Sequence, residues 1–335
     1  MNQGVKRKIL VTGAAGFIGS HLTDHLLEGG HTVIGVDNLI NGKRDNLSEA
    51  FKSNSFQFEE KSILDKESMH SLMEGVEVVY HLACLGVRHS IHSPFENHRV
   101  NAEGTIVVLD VARQGNVKKF FYISTSEVYG KALNFPIKET DTTYPLTVYG
   151  SSKLAGEHYT HSYNECYGMD TTVLRIFNNY GPRAHYEGDC GEVIPRSAVK
   201  IIYGENPVIF GDGLVTRDFF FVKDTAKLLC SLMDYDNLNG ETINVGTGEE
   251  ITMKDLLEKV VELMPDYDSK VEYLHPRPAD VTRLWVDNSK LKELVNVEQG
   301  VNFETGLKET LDFYIKLSKD KNLATEIELY NWEGK

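Results

Sequence analysis

Tyr149 and Lys153 stand four residues apart at the start of a stretch patterned as a helix, which sets them one turn apart on the same face. A phenol with an ordinary pKa of about 10 is a poor base near neutrality. An ammonium group beside it favours the phenolate and lowers that pKa. The pair then becomes an acid/base able to take a proton from a hydroxyl while hydride leaves the same carbon. Tyr-x-x-x-Lys pairs also arise by chance on solvated helix faces, so the meaning of this one rests on its surroundings.

Ser124-Thr125-Ser126-Glu127 follows directly on the apolar run Phe120–Ile123. A hydroxyl on Thr125 can hydrogen-bond the reacting oxygen and share its proton with Tyr149; the alternative is a hydroxyl cluster that merely forms a turn at a strand end. Glu127 can remove a carbon-bound proton next to a transient ketone, or it is a solvent-facing loop acid. Near the N-terminus, Gly13, Gly16 and Gly19 recur at a spacing of three between an apolar strand and an amphipathic helix. Such a turn aims backbone N–H groups and a helix N-terminus at a pyrophosphate, and glycine lets the backbone come close. Asp37 ends the next apolar run, 18 residues after Gly19. A carboxylate there accepts from a ribose 2′-OH and repels a 2′-phosphate, which favours NAD over NADP. Lys43 and Arg44 stand close enough in sequence to complicate that preference.

These residues need elements to position them. Strand-like runs fall at Lys8–Thr12, Thr32–Asp37, Phe56–Glu59, Val76–Leu82, Lys119–Ser124 and Thr171–Phe177. Helical patterns occupy Gly19–Glu28, Lys66–Met73, Pro94–Gln114 and Tyr149–Tyr167. This alternation predicts an α/β fold: a Rossmann-type, doubly wound parallel sheet whose ligands bind beyond the carboxyl ends of the strands. From about Gly181 the pattern loosens into a loop (Arg183–Gly191), a helix (Glu192–Tyr203), and short strands at Pro207–Phe210 and Asp218–Val222. A helix at Lys223–Met233 and a strand near Thr242–Val245 return to the main sheet, and residues from Thr252 to about Leu317 form a smaller mixed C-terminal substrate lobe. The expected division is residues 1–180 for the cofactor, with the returning strand and helix near 218–246, and 181–330 mainly for the substrate. The charged tail from Ser318 is expected to fray.

A length of 335 residues with 41% hydrophobic and 25% charged residues suffices for a large core. A net charge of −14 argues against nucleic-acid and membrane-surface partners. No apolar stretch is long enough to span a bilayer, and the short polar start is no signal peptide. Cys84, Cys166, Cys190 and Cys230 are widely separated, as suits a reducing, cytoplasmic setting. The spacing of His81, His89, His92 and His98 matches no metal motif, so no metal site is expected.

With the glycine loop, the Thr125 segment and the Tyr149/Lys153 pair in this order, the chain resembles the extended short-chain dehydrogenase/reductase family, and within it the NAD-dependent nucleotide-sugar epimerases and dehydratases. The resemblance covers nearly all of the chain. It includes His81-Leu82-Ala83, Asn101 in Asn-x-x-Gly-Thr, Phe177-Asn178-Asn179-Tyr180-Gly181-Pro182, Phe210-Gly211-Asp212-Gly213, Thr216-Arg217-Asp218-Phe219 and Arg277-Pro278-x-Asp280. It implies that Gly13, Gly16, Phe17, Ile18, Gly19, Asp37, Asn38, Ser62, Ile63, Leu82, Ala83, Asn101, Tyr149 and Lys153 hold NAD. It implies Thr125, Ser126, Glu127, Tyr149 and Lys153 as catalytic, and Asn178, Phe210, Arg217, Arg277 and Asp280 as the seat of a nucleoside diphosphate sugar. Phe210 can stack on a base, the arginines can pair with phosphates and Asp280 can accept from a ribose hydroxyl. Ser62 departs from the pattern, because the family commonly has an aspartate there, near the adenine. The resemblance also implies a homodimer built through Pro94–Gln114 and Tyr149–Tyr167.

The implied first step is oxidation at sugar C4, after which three outcomes diverge. An epimerase returns hydride to the other face; a 4,6-dehydratase removes the C5 proton and expels the C6 hydroxyl; a decarboxylase releases the carboxylate of a glucuronic acid. Simple 4-epimerases usually have a small residue where this chain has Glu127, so a 4,6-dehydratase is expected first and a nucleotide-sugar 4-epimerase second. UDP-glucuronate decarboxylases usually carry a proline-rich stretch where this chain has Cys84-Leu85-Gly86-Val87-Arg88-His89-Ser90. A catalytically silent NAD-binding protein would be expected to lack Thr125, Tyr149 or Lys153, and all three are present.

Overall fold

Strands buried on both faces belong at the centre of a parallel sheet, where helices cover each side. β1 (Lys8–Thr12) is such a strand, and it feeds α1 (Phe17–Glu28) and β2 (Thr32–Asp37). The chain continues through β3 (Phe56–Glu60), α2 (Lys66–Leu72), β4 (Val78–His81), α3 (Val87–His92), α4 (Pro94–His98), α5 (Gly104–Gln114), β5 (Lys119–Thr125), α6 (Val148–Tyr167) and β6 (Thr171–Ile176). It goes on with β7 (Asn178–Tyr180), α7 (Val193–Ile202), β8 (Val208–Phe210), β9 (Thr216–Arg217), β10 (Phe219–Phe221), α8 (Val222–Leu232) and β11 (Thr242–Val245). β12 (Ile251–Thr252), α9 (Met253–Glu262), β13 (Glu272–Leu274), β14 (Arg283–Leu284), α10 (Ser289–Leu294) and α11 (Phe303–Asp320) complete it. This computed structural model describes residues 5–276 and 281–327.

Among the described residues, seven strands form one parallel sheet in the order β11-β6-β5-β4-β1-β2-β3, the Rossmann-type arrangement expected. The predicted return of Thr242–Val245 to the main sheet is met: β11 pairs in parallel with β6 from Thr242↔Val173 to Val245↔Ile176. One face of the sheet packs Leu22 and Leu26 of α1 with Leu229 and Leu232 of α8. The other packs Met69 of α2 with Val108 and Leu109 of α5. β7 and β10, β8 and β13, and β9 with β12 and β14 form small separate sheets. They share a further core in which Ile194 and Val199 of α7 meet Leu307, Leu311 and Tyr314 of α11.

Three boundaries differ from the sequence reading, each for a local reason. The helix expected over Pro94–Gln114 is interrupted by a π-helical turn at Arg99–Glu103. Asn97 precedes that turn and Asn101 lies within it, and both donate to the Leu85 carbonyl, so the bulge sits at a candidate functional segment, where such bulges are frequent. The strand expected over Asp218–Val222 is shortened to Phe219–Phe221, because Val222 opens α8 and Asp218 turns inward, accepting from the Thr247 N–H at 2.9 Å and the Gly248 N–H at 2.8 Å. The tail expected to fray from Ser318 is helical to Asp320: the Tyr314 hydroxyl donates to the Ala184 carbonyl and ties α11 to the 183–191 loop.

Candidate active site

The carboxyl ends of β1, β2, β4, β5 and β6 bring the predicted chemistry to one edge of the sheet. Thr125 ends β5, and its hydroxyl accepts the Glu127 N–H at 3.2 Å, folding Ser126–Val128 into a single 3-10 turn. The turn buries Ser126 and leaves Glu127 half-buried. Tyr149 and Lys153 lie on the first turns of α6, whose start is fixed by the Thr147 hydroxyl accepting from the Gly150 N–H at 3.0 Å.

Lys153 is only 2% exposed; its ammonium donates to the Ile123 carbonyl at 2.6 Å and sits 4.2 Å from the centre of the Tyr122 ring. Burial lowers its pKa, while Cys84 and Glu157 favour its charged form. Burial pushes the Tyr149 phenol well above its ordinary value; Cys84, Glu127 and Glu192 push the same way, and a hydrogen bond with Thr125 opposes them. The expected lowering of Tyr149 by its lysine neighbour is therefore overridden by desolvation in the protein alone.

The glycine turn fits a dinucleotide. Gly13 has φ +72°, and a Cβ there would stand 2.8 Å from the Ala83 nitrogen. A Cβ on Gly19 would collide with the Gly13 carbonyl, so both positions keep the backbone bare where phosphates would approach. Phe17 and Ile18 face apolar contacts with Ala184 and Val222. Asp37 is buried at the end of β2, accepting from the Ala15 N–H at 3.0 Å and the Leu39 N–H at 2.8 Å. Burial raises its pKa, and these two backbone donors hold it down. The nearby cations are both engaged: Lys43 pairs with Glu187 at 2.7 Å, and the Arg44 guanidinium lies 4.7 Å from the centre of Phe51. Neither bond involves Asp37.

Other predicted cofactor residues shape the backbone around this turn. The Thr12 hydroxyl accepts from the N–H groups of Leu82 and Ala83, both at 3.2 Å. Asn101 accepts from the Leu85 N–H at 2.8 Å and donates to the Leu85 carbonyl at 2.9 Å, so its amide holds the segment after β4. The Ser62 hydroxyl accepts from the Leu64 N–H at 3.2 Å, and Ile63 packs into the core. Exposed Asn38 accepts from the Ile40 N–H at 3.3 Å.

On the opposite side, Asn178 begins β7, and its Oδ1 is buried with no hydrogen-bond partner among the described residues, a polar atom suited to a ligand. Phe210 ends β8 and lines a cavity of about 770 Å³ with Gly211, Asp212, Tyr273, His275 and Pro276. Arg217 on β9 donates to the Thr216 carbonyl at 2.8 Å. Arg277 and Asp280 lie outside the described residues.

Sequence reasoning missed three groups. Cys84 and Glu192 bear electrostatically on Tyr149. Glu192 opens α7, far away in sequence, and burial raises its pKa to about 7 against the pull of His185 and Arg88. No local pattern announces either. The third, Glu157, stands four residues beyond Lys153 on the same helical face and was legible as a repeat of that spacing.

A family model described as GDP-mannose 4,6 dehydratase matches residues 10–310. A putative UDP-glucose 4-epimerase of Methanocaldococcus jannaschii is 35% identical over 94% of this chain and 99% of its own length. A UDP-N-acetyl-alpha-D-glucosaminuronate decarboxylase of Bacillus cytotoxicus is 35% identical over 94% of this chain and 100% of its own. The crystal structure of a UDP-glucuronic acid 4-epimerase from Bacillus cereus, in complex with UDP-glucuronic acid and NAD, superposes with a TM-score of 0.86 at 32% identity, covering 92% of this chain and 99% of that one. The glycine turn, the acid at the end of β2 and the Thr125–Tyr149–Lys153 group thus sit in a chain that belongs to the GDP-mannose 4,6 dehydratase family, the NAD-dependent nucleotide-sugar enzymes of the extended short-chain dehydrogenase/reductase type.

Proposed function

We propose that this enzyme is a nucleotide-sugar 4-epimerase working through transient oxidation at C4. The meeting of Thr125, at the end of β5, with the Tyr149 phenol on which it acts, together with the Lys153 ammonium buried one turn further along α6, carries the C4-oxidation part of the reading, because a hydroxyl pair beside a fixed positive charge can relay a proton. The names of the relatives support it: two of the three described are 4-epimerases. That moves epimerisation ahead of the dehydration expected from Glu127.

In this reading Tyr149 accepts the C4 hydroxyl proton and returns it after the sugar has presented its other face. Thr125 steadies the reacting oxygen, and Lys153 opposes the negative charge that develops on the phenol. Bound NAD supplies the redox couple at C4 and a positive ring that counters the burial of Tyr149. Asp37 accepts from the ribose hydroxyls, and the bare backbone at Gly13, Gly16 and Gly19 admits the pyrophosphate. Asn178 and Arg217 address the substrate diphosphate, with Phe210 stacking on the base.

Dehydration remains the second reading, favoured by one observation: Glu127 is half-buried beside Tyr149 and close enough for its charge to act on the phenol. Product mass after incubation of the NAD-loaded protein with UDP-, GDP- and dTDP-sugars, UDP-glucuronate included, decides between them. Unchanged mass with a new isomer supports the epimerase. Loss of water establishes the dehydratase, loss of carbon dioxide a decarboxylase, and no product from any donor removes all three for those substrates.

A further inference from the structure

Behind the catalytic residues lies a buried ionic network that the chemistry above does not use. Glu157 continues the face of α6 that carries Tyr149 and Lys153, and is 2% exposed. Its carboxylate accepts from the Arg175 Nε at 3.0 and 3.2 Å and from Nη2 at 2.7 Å. It also accepts a short hydrogen bond from the Ser124 hydroxyl. Arg175, on β6, donates onward to the Tyr129 hydroxyl at 2.9 Å, and Tyr129 donates to Asn244 Oδ1 on β11 at 2.6 Å.

The network meets the catalytic residues at the end of β5. Lys153 holds the Ile123 carbonyl and Glu157, one turn further along α6, holds the next residue, Ser124. Thr125 follows immediately. Two side chains of one helix therefore fix the strand end that carries Thr125, the residue whose hydroxyl acts on the Tyr149 phenol of the same helix. Stability alone does not explain the pair, because a buried ion pair is often no more stabilising than apolar residues of similar volume.

We propose that the Glu157–Arg175 pair, acting through Ser124, is a positioning device that sets the Thr125 hydroxyl against the Tyr149 phenol. Glu157 and Ser124 touch neither cofactor nor substrate in this scheme; they act through Thr125. Glu157 also favours the charged form of Lys153. Only the kinetic arm of the test rests on the proposed C4 chemistry.

Two variants separate positioning from stability: Ser124→Ala, and the double replacement Glu157→Leu with Arg175→Met, which removes the acceptor of Ser124 without leaving a charge unpaired. In the NAD-loaded protein, the Tyr149 phenol is titrated by ultraviolet difference absorbance against Tyr149→Phe. Both variants should raise its apparent pKa by about half a unit or more as the Thr125 hydrogen bond loosens. With a substrate that turns over, kcat should fall about tenfold at a KM within about twofold, while the thermal midpoint of the double variant stays level or rises. A raised titration with no substrate found upholds the positioning and counts only against the reading of the reaction. An unmoved titration in whichever variant folds overturns the proposal, whatever happens to kcat, because a loss without it comes from general disturbance of the core.

Discussion

Replacing Gly13 with alanine tests the cofactor turn most directly. Gly13 has φ +72°, where an L-residue costs about 1–2 kcal/mol. The new Cβ would also stand 2.8 Å from the Ala83 nitrogen and 3.0 Å from its Cα, both backbone atoms that cannot rotate away. Ordinary contact begins at 3.4 Å, so the turn after β1 must retreat by 0.6 Å (3.4 less 2.8) from the segment after β4. Overpacking of this kind costs about 1–3 kcal/mol, for a total of about 2–5 kcal/mol. The thermal midpoint should fall by at least about 3 °C. Because the retreating turn carries the N–H groups proposed to face the pyrophosphate, NAD affinity should fall at least about tenfold, equivalent to about 1.4 kcal/mol. Calorimetric titration of the stripped protein with NAD and a thermal melt measure both. Gly86→Ala is the control, since a Cβ there meets nothing within 4 Å and both readings should match the parent. Parent-like NAD affinity and melting in Gly13→Ala would refute the argument from geometry.

Three further outcomes follow from the site and the core. Tyr149→Phe should lower turnover by at least about a thousandfold while NAD content after gel filtration stays unchanged, since the ring is kept and only the proton relay is lost. Glu127→Gln should leave epimerisation within about threefold of the parent but abolish any loss of water, so product mass with this variant distinguishes the two readings. Burial holds both His21 and His81 down to about 3, against 6.5 in an unfolded chain. Below 6.5 the unfolded state therefore takes up protons that the folded state refuses, so each histidine withdraws stability as pH falls, while Glu192, raised by burial to about 7, and Asp218, raised by burial to about 6, add it over the same range. Each histidine contributes a slope approaching about 1.4 kcal/mol per pH unit. The stability difference between the parent and His21→Gln should therefore shift by about 2 kcal/mol between about pH 7 and pH 5, and a difference in urea unfolding that stays constant would contradict this account.

Local sequence exposed those parts of the site whose chemistry lies in short segments. The glycine spacing, Asp37, the Thr125 run and the Tyr149/Lys153 pair each sit within one strand–helix junction, so a linear reading finds them. Alternating strands and helices likewise gave the parallel sheet, because burial on both faces imposes apolar runs. The exclusion of Asp218 from its strand was not visible, because its cause lies in the Thr247 and Gly248 donors of a distant turn. Nor was the helical state of Ser318–Asp320, where the charged side chains suggested a free tail but α11 is held through Tyr314.

Residue type and spacing thus determined the fold class and the cofactor class and offered the candidate proton-transfer group, since each depends on neighbours along the chain. Tertiary structure alone decided the electrostatics of that group. Desolvation, not Lys153, dominates Tyr149, and the charges acting on it come from Cys84, Glu127 and Glu192 on three separate segments. It also revealed the Ser124–Glu157–Arg175 link between β5, α6 and β6. Burial and through-space contact are properties of how elements pack, and spacing along the chain does not specify them.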